Sequence, residues 1–238
     1  MTSTFARTDL DYRFQGSFRS YPQGGAVDSD LGIGKLLWKK NPILYGYVRS
    51  SLQLKTSAIV NYATAQLEVF PVSFIGLYIA KSYGHRSLTN LQGFDCLEVN
   101  CTSSVRKNVF GMNIALAYKK FKLVHFFRQE QIHYKDEQGS FAEELSNLIL
   151  TQSDKLDSFT TIFGRDLKDQ WFVGALHLYS KAHHSKNFTS MNFLVVQKTI
   201  ERWSFQGGVG KFRTSLGKDH LSSLFIVRYN GKKGLRLF

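Results

Sequence analysis

The sequence predicts an all-β fold: a single 12-stranded antiparallel transmembrane β-barrel with short periplasmic turns and two long external loops. Three observations predict it. Residues Asn41–Ser82 alternate between an apolar or small phase and a polar phase with a period of two, as strands with one greasy and one wet face do. The alternating segments exceed the roughly 5–6 residues of an ordinary globular strand and reach the ~9–11 that a membrane-crossing strand needs. The connections between them also alternate in length, and a soluble sandwich has no reason to sort its loops in this way.

Taken in order, Thr8–Ser20 sets Leu10, Tyr12, Phe14, Gly16 and Phe18 against Asp9, Asp11, Arg13, Gln15, Ser17 and Arg19. A turn at Tyr21–Ala26 contains Pro22 and a Gly pair, residues that mark reversals. The second strand, Val27–Trp38, carries Gly32 and Gly34, which permit strong curvature. After Lys39–Pro42, Leu44, Gly46, Val48, Ser50, Leu52 and Leu54 oppose Tyr45, Tyr47, Arg49, Ser51, Gln53 and Lys55. The chain reverses at Thr56–Ser57, and Ile59, Asn61, Ala63, Ala65, Leu67 and Val69 then oppose Val60, Tyr62, Thr64, Gln66, Glu68 and Phe70. Further strands are predicted at Phe74–Tyr83, Asn108–Tyr118, Lys122–Tyr134, Ser158–Asp166, Gln170–Lys181, Thr189–Thr199, Arg202–Thr214 and Leu221–Phe238. Residues 84–107 and 135–157 are the long loops. Within the second, Phe141, Leu145, Leu148 and Ile149 stand at helical spacing and predict a short helix. The even-numbered connections, near 40, 72, 120, 168 and 200, are short. Short turns on one side and long loops on the other are the pattern of outer-membrane barrels. Both termini then fall on the periplasmic side.

Composition agrees with one barrel. The 238 residues show no linker or shift in composition, and only three Pro, all in turns. No run approaches 18 apolar residues, which rules out a transmembrane helix. Twenty Phe and eleven Tyr suit aromatic girdles at the two membrane surfaces. The formal charge of +13 raises nucleic acid as a partner. The basic residues are spread over strand phases and loops, without the dense block of a nucleic-acid arm, so no nucleic-acid partner is expected. Residues 1–20 lack the apolar core of a secretory signal. A barrel bound for an outer membrane needs one, so the chain reads as a mature form with a start Met.

With these features the chain resembles Gram-negative outer-membrane β-barrel proteins along nearly its whole length. Phe238 is its final residue, and in that class a C-terminal aromatic serves as an assembly signal read by the barrel-assembly machinery. The apolar phase of the last strand is odd, which puts Phe238 on the other phase: either a bulge in Gly231–Gly234 resets the register or the signal is atypical. More narrowly, YGYVRSSLQL, AQLEVFPVSFIGL and the following DC…C loop resemble an uncharacterised barrel family of Bdellovibrio-type predatory bacteria, which supplies no activity to carry over. The resemblance implies the outer membrane of a Gram-negative bacterium as the location. It implies outer-membrane lipids, including lipopolysaccharide, as partners.

Cys96 and Cys101 are the only cysteines. In an oxidising compartment they pair and brace the first long loop; the rival metal reading lacks a second ligand pair. The polar phases bring Arg13, Arg19, Arg49, Lys55, Glu68, Arg128, Glu130 and Arg202 to the lumen. Their basic excess points to a narrow anion-preferring pore. The competing reading is a closed barrel filled by mutually paired charges, self-assembling through small outward residues such as Gly46, Ser50, Ala63 and Ala65 into a homo-oligomer that organises lipid or envelope. Twelve strands lie between filled eight-strand barrels and wide porins, so size does not separate the two. A rim hydrolase would need a nucleophile beside a base. His177, His183, His184 and His220, with Ser180, Ser185 and Ser222, are the candidates, none in a nucleophile motif. A non-enzymatic protein without cofactor or metal is expected.

Overall fold

Twelve long strands close on themselves in a computed structural model that describes residues 8–57, 59–87, 92, 94–135, 139–232 and 234–236. The wall consists of β1 (Thr8–Ser20), β2 (Gln23–Lys39), β3 (Tyr45–Thr56), β4 (Val60–Val72), β5 (Ile75–Ser87), β6 (Thr102–Tyr118) and β7 (Phe121–Tyr134). A small hairpin, β8 (Ser140–Glu143) and β9 (Leu148–Thr151), interrupts it before β10 (Ser153–Asp166), β11 (Trp171–Ala182), β12 (Phe188–Ile200), β13 (Trp203–Arg213) and β14 (Asp219–Lys232). Wall strands pair antiparallel with their neighbours in sequence, β7 pairing β10 across the hairpin, and β1 pairs β14 to complete the ring. Closure of this kind leaves no sheet edge unpaired. The β1–β14 seam is short: it pairs Tyr12–Arg19 with Leu224–Lys232, whereas β1 pairs β2 along the whole of Thr8–Ser20.

The alternation predicted for β3 and β4 is observed, with Tyr45, Tyr47, Arg49, Tyr62, Glu68 and Phe70 buried inward and Leu52, Leu54, Leu67 and Val69 exposed outward. Several strands run further toward the long-loop end than period-two patterning indicated. β5 continues to Ser87, β6 begins at Thr102 and β10 at Ser153, so the two long loops are shorter and the wall taller. The first connection is also tighter, because β2 starts at Gln23.

The last strand stops at Lys232, and a bulge at Gly231 shifts its register against Tyr12. Gly234 then adopts a φ of +57°, a left-handed turn that glycine makes at least cost, and the chain enters the lower mouth of the barrel. Phe238, the expected assembly signal, lies outside the described residues.

Phe141–Leu150 is a β-hairpin, where helical spacing had predicted a helix. Leu145 falls in the turn, and Asn147 takes a φ of +59° there. Glu143 caps the turn by accepting hydrogen bonds from Ser146 N–H at 2.8 Å and Ser146 Oγ at 2.6 Å. Asn100 donates its N–H to the Ser140 carbonyl and accepts from the Ala142 N–H, adding a third rung. Tertiary pairing thus overrides the local pattern. Cys96 and Cys101 form the expected disulfide, with Cα atoms 5.5 Å apart, and Cys101 packs against the hairpin.

Outside, apolar side chains cover much of the wall. All three Trp (Trp38, Trp171, Trp203), together with Tyr118 and Phe121, lie exposed at the short-turn end. Phe18, Tyr83 and Phe188 lie exposed toward the other end. Gly46 does not contribute to a smooth outer band, because the Trp38 indole lies against it and donates to the Pro71 carbonyl at 3.1 Å.

Candidate functional site in the barrel lumen

The lumen is occupied at both ends. At the short-turn end, Arg49 of β3 reaches strands on either side. Its guanidinium is held by Asp11 of β1 at 2.6–3.1 Å, Asp30 of β2 at 2.5 Å and Glu68 of β4 at 2.8 Å. Register brings them together, since Arg49 stands opposite Glu68 on β4 and Gly34 on β2. Gly32 is needed for room: a Cβ there would lie 2.3 Å from the Arg49 guanidinium. The in-turned tail joins this cluster through Arg236, which bonds Asp11 at 2.6 Å and Asp30 at 2.9 Å. Below it Leu235 packs on Tyr45, Tyr47 and Phe70, and Tyr45 Oη donates to the Leu235 carbonyl at 2.8 Å.

At the long-loop end the β8–β9 hairpin folds down into the barrel. Phe141, Ala142, Leu148 and Leu150 are fully buried against Val60, Tyr62, Val105, Ile132 and Tyr134. Phe141 stacks on Tyr134 with ring centroids 4.2 Å apart. Lys107 of β6 bridges Glu143 at 3.0 Å and Glu130 of β7 at 3.1 Å, its ammonium 5.0 Å from the centre of the Tyr62 ring. Arg86 of β5 donates to the Ala142 carbonyl and, at 2.9 Å, to the Thr102 carbonyl. Tyr62 Oη donates to Glu144 at 2.7 Å, and Thr189 Oγ1 to the Ser146 carbonyl at 2.8 Å.

Burial alone pushes the Glu143 carboxyl up, but Lys107 and the Ser146 bonds outweigh it and hold it at about 2. The neighbouring Glu144 is pushed up, by burial first and by Glu143 second.

Beside the hairpin a cavity of about 720 Å³ runs from the lumen to the β1–β2 and β3–β4 turns, adjoined by a smaller one of about 200 Å³. Most of the expected lumen residues are found here or in the lower cluster. Lys55, Arg19, Arg128 and Glu130 line the large cavity, and Arg13 and Lys55 the smaller. Arg128 pairs with Glu130, and Arg13 lies 3.6 Å from Asp30. Arg19 has no carboxylate partner among the described residues. It donates to the Pro22 carbonyl at 3.0 Å, and its guanidinium lies 5.6 Å from the centre of the Phe212 ring.

Arg202 is a correction. It occupies the exposed turn between β12 and β13 and does not line the lumen, because β13 begins one residue later, at Trp203. Sequence reasoning also missed Arg86 and Lys107, which had been assigned to a loop, and Glu143, Arg228 and Arg236. The inward phase of Val105, Lys107 and Val109 was the signal available for Lys107.

The rim histidines do not assemble a nucleophile pair. His183 Nε2 meets Asp157 at 2.8 Å, His184 Nδ1 the Ser153 carbonyl at 2.8 Å and His177 Nδ1 Asn192 at 2.7 Å. His220 stacks on Tyr21, while Ser180 and Ser222 bond Ser158 and the Tyr21 carbonyl. Among the described residues no hydrogen bond joins these histidines to Ser180, Ser185 or Ser222.

No protein-family model matches the sequence, and no curated protein matches it. Among solved structures the chain is similar to a KdgM porin, at 8% identity over 92% of this chain and 98% of that one, with a TM-score of 0.46. It is similar to the translocator domain of autotransporter NalP from Neisseria meningitidis at 13% identity, 95% and 90% coverage and a TM-score of 0.41. It is also similar to outer-membrane expressed OmpT of Vibrio cholerae at 9% identity, 97% and 99% coverage and a TM-score of 0.45.

Proposed function

We propose that the protein is an integral barrel of a Gram-negative outer membrane whose porin-like lumen is held shut by the β8–β9 hairpin at one end and the Leu235–Arg236 tail at the other, and passes small anions when both withdraw. The observation that carries this reading is the latch itself: a hairpin buried in the lumen and fastened by Lys107 between Glu130 and Glu143. The apolar outer belt with Trp and Tyr near its ends supports membrane residence. Anion preference is supported by pairing. Asp11, Asp30, Glu68, Glu130 and Glu143 each sit in an ion pair, while Arg19 and Arg228 form none among the described residues. On this reading the protein is non-enzymatic. Its partners are outer-membrane lipids, lipopolysaccharide among them, and the barrel-assembly machinery. The kinship with Bdellovibrio-type barrels rests on the sequence motifs alone.

The test is single-channel recording in a planar bilayer under a salt gradient, comparing the parent protein with a variant in which residues 139–151 are replaced by a short Gly-Ser linker and Leu235 and Arg236 of the tail plug by Gly. The parent should be mostly silent, and the variant should open stepwise with an anion-selective reversal potential. Silence of the variant, with insertion verified by protease accessibility, overturns the pore. A cation-selective reversal overturns the charge argument.

A second reading, a closed structural barrel that self-assembles, is favoured by one feature of the outer wall. Register places His125, Thr161, His177, Asn192 and Lys211 side by side on β7, β10, β11, β12 and β13. His125 bonds Thr161 at 2.9 Å and His177 bonds Asn192 at 2.7 Å. Polar residues facing lipid are costly, and contact with a second copy would shelter them. Native mass spectrometry of the parent and of a His125→Leu/His177→Leu variant decides it: an oligomer lost in the variant supports assembly through this face.

A further inference from the structure

The two walls of the large cavity differ in chemistry. On β10–β14 the inward phase presents a run of apolar side chains, Ile162, Leu176, Leu178, Met191, Phe193 and Ile226, flanked by Ser158, Ser180, Thr189 and Gln206. A barrel lumen filled with water is ordinarily polar, and neither plug covers this wall. The hairpin turn touches it through the Thr189–Ser146 bond, and the tail lies at the opposite end.

The rest of the lining is charged, with Arg19, Lys55, Arg128 and Arg228 alongside Glu130, Glu143 and Glu144. Lys55 of β3 borders both cavities and makes no hydrogen bond or direct ion pair among the described residues. Arg228 of β14 uses Nε to donate to Gln15 Oε1 at 2.9 Å and likewise forms no ion pair. Asp28, which lines the smaller cavity with Lys55, accepts from Gln15 Nε2 at 3.3 Å. Arg228 follows Ile226 on the same face of the same strand, so basic and apolar surfaces meet without a gap. At about 720 Å³ the cavity lies within the ~300–1,000 Å³ of small-molecule sites.

We propose that this cavity binds a single-chain anionic amphiphile, its acyl chain along the Ile162–Leu176–Phe193 wall and its head group between Lys55 and Arg228. Lys55 and Arg228 are only half-buried and neither has a carboxylate at ion-pair distance among the described residues, so an anionic head supplies each with a partner. The chain in turn covers Ile162, Leu178 and Ile226, the partly exposed members of the apolar wall, whose Leu176, Met191 and Phe193 already pack on one another. The site depends on the closed lumen but not on conduction, so its success or failure is read separately from that of the pore.

The sequence has three Met, and two of them make the test internal. Met191 lines the cavity, whereas Met112 is on the outward phase of β6, in the lipid belt. The protein, labelled at its methionine methyl carbons and embedded in nanodiscs, is titrated with laurate, dodecyl phosphate and dodecanol. The expected result is a saturable shift of the Met191 methyl with both anions, at least tenfold tighter than with dodecanol, while Met112 follows only the linear partition into lipid. Lys55→Gln/Arg228→Gln should remove the preference for anions and leave dodecanol unchanged. If that variant fails to fold, Leu178→Phe, which fills the cavity without adding charge, should weaken all three. A tighter response to dodecyl phosphate than to laurate assigns the head group as a phosphate, and the reverse as a carboxylate. Movement of Met112 alone, or equal response to laurate and dodecanol in the parent protein, overturns the proposal.

Discussion

Arg49 neutralises carboxylates from three different strands with almost no access to water, so its removal leaves like charges confined together. Arg49→Met should cost about 3–5 kcal/mol, the range for breaking a buried ion pair on one side, read as a lower urea midpoint for unfolding from lipid vesicles. Gly32→Ala acts on the same cluster from the other side. The added methyl collides with the guanidinium and should cost about 1–3 kcal/mol, as overpacking does. The inward direction of Arg49 was legible, because period two fixes the face of every residue within a strand. Its partner Arg236 was not, because nothing in the alternation of β14 announces that the chain turns inside after Gly234. Arg202 was misread for the same reason: alternation gives the face but not the point at which a strand stops.

At the scale of the element, the hairpin is held by one stacked aromatic, one ammonium and a turn capped by Glu143. Phe141→Ala removes a fully buried ring and should cost about 3–5 kcal/mol of docking. Hydrogen exchange should then rise across residues 139–151 while the wall strands keep their protection. Acid should do the same by another route. Glu143 is held at about 2, below its unfolded value, so its contribution to docking is complete above the ordinary carboxylate range and is lost as pH falls toward 2. Glu144 has the opposite sign. It is raised in the folded state, so it favours docking at acid pH and weakens it as pH climbs through that raised value. Exchange of the hairpin amides followed from pH 2 to 8 should therefore be slowest between the two limits, and Glu144→Gln should flatten only the alkaline side. The hairpin was not legible as such. Phe141, Leu145, Leu148 and Ile149 fit a helical stripe, and only the pairing with Asn100 and the pocket beneath Tyr134 select the extended form.

For the whole molecule, strand count, ring closure and the disulfide were readable from the chain, because long period-two strands and sorted loops admit few other arrangements. Loop lengths were overestimated, since the taller strands carry polar residues on both faces above the belt, where alternation in hydrophobicity fades. The three tryptophans give a global test of how the barrel sits. All are near the short-turn end, so lipids brominated near the head group should quench their fluorescence more than lipids brominated at the chain end. Stronger quenching from the chain end would show that the belt is not seated as drawn.

The short seam between β1 and β14 has a mechanical meaning. Consecutive strands are tied by their turns as well as by their ladders, but these two are joined by hydrogen bonds over part of their length and by no covalent link. The barrel is in this sense a hoop with a clasp, and Arg236, reaching from the tail beyond the last strand to Asp11 and Asp30, is the pin through it. Under load the clasp yields first, and the wall unrolls as one sheet before any pair of strands within it is pulled apart.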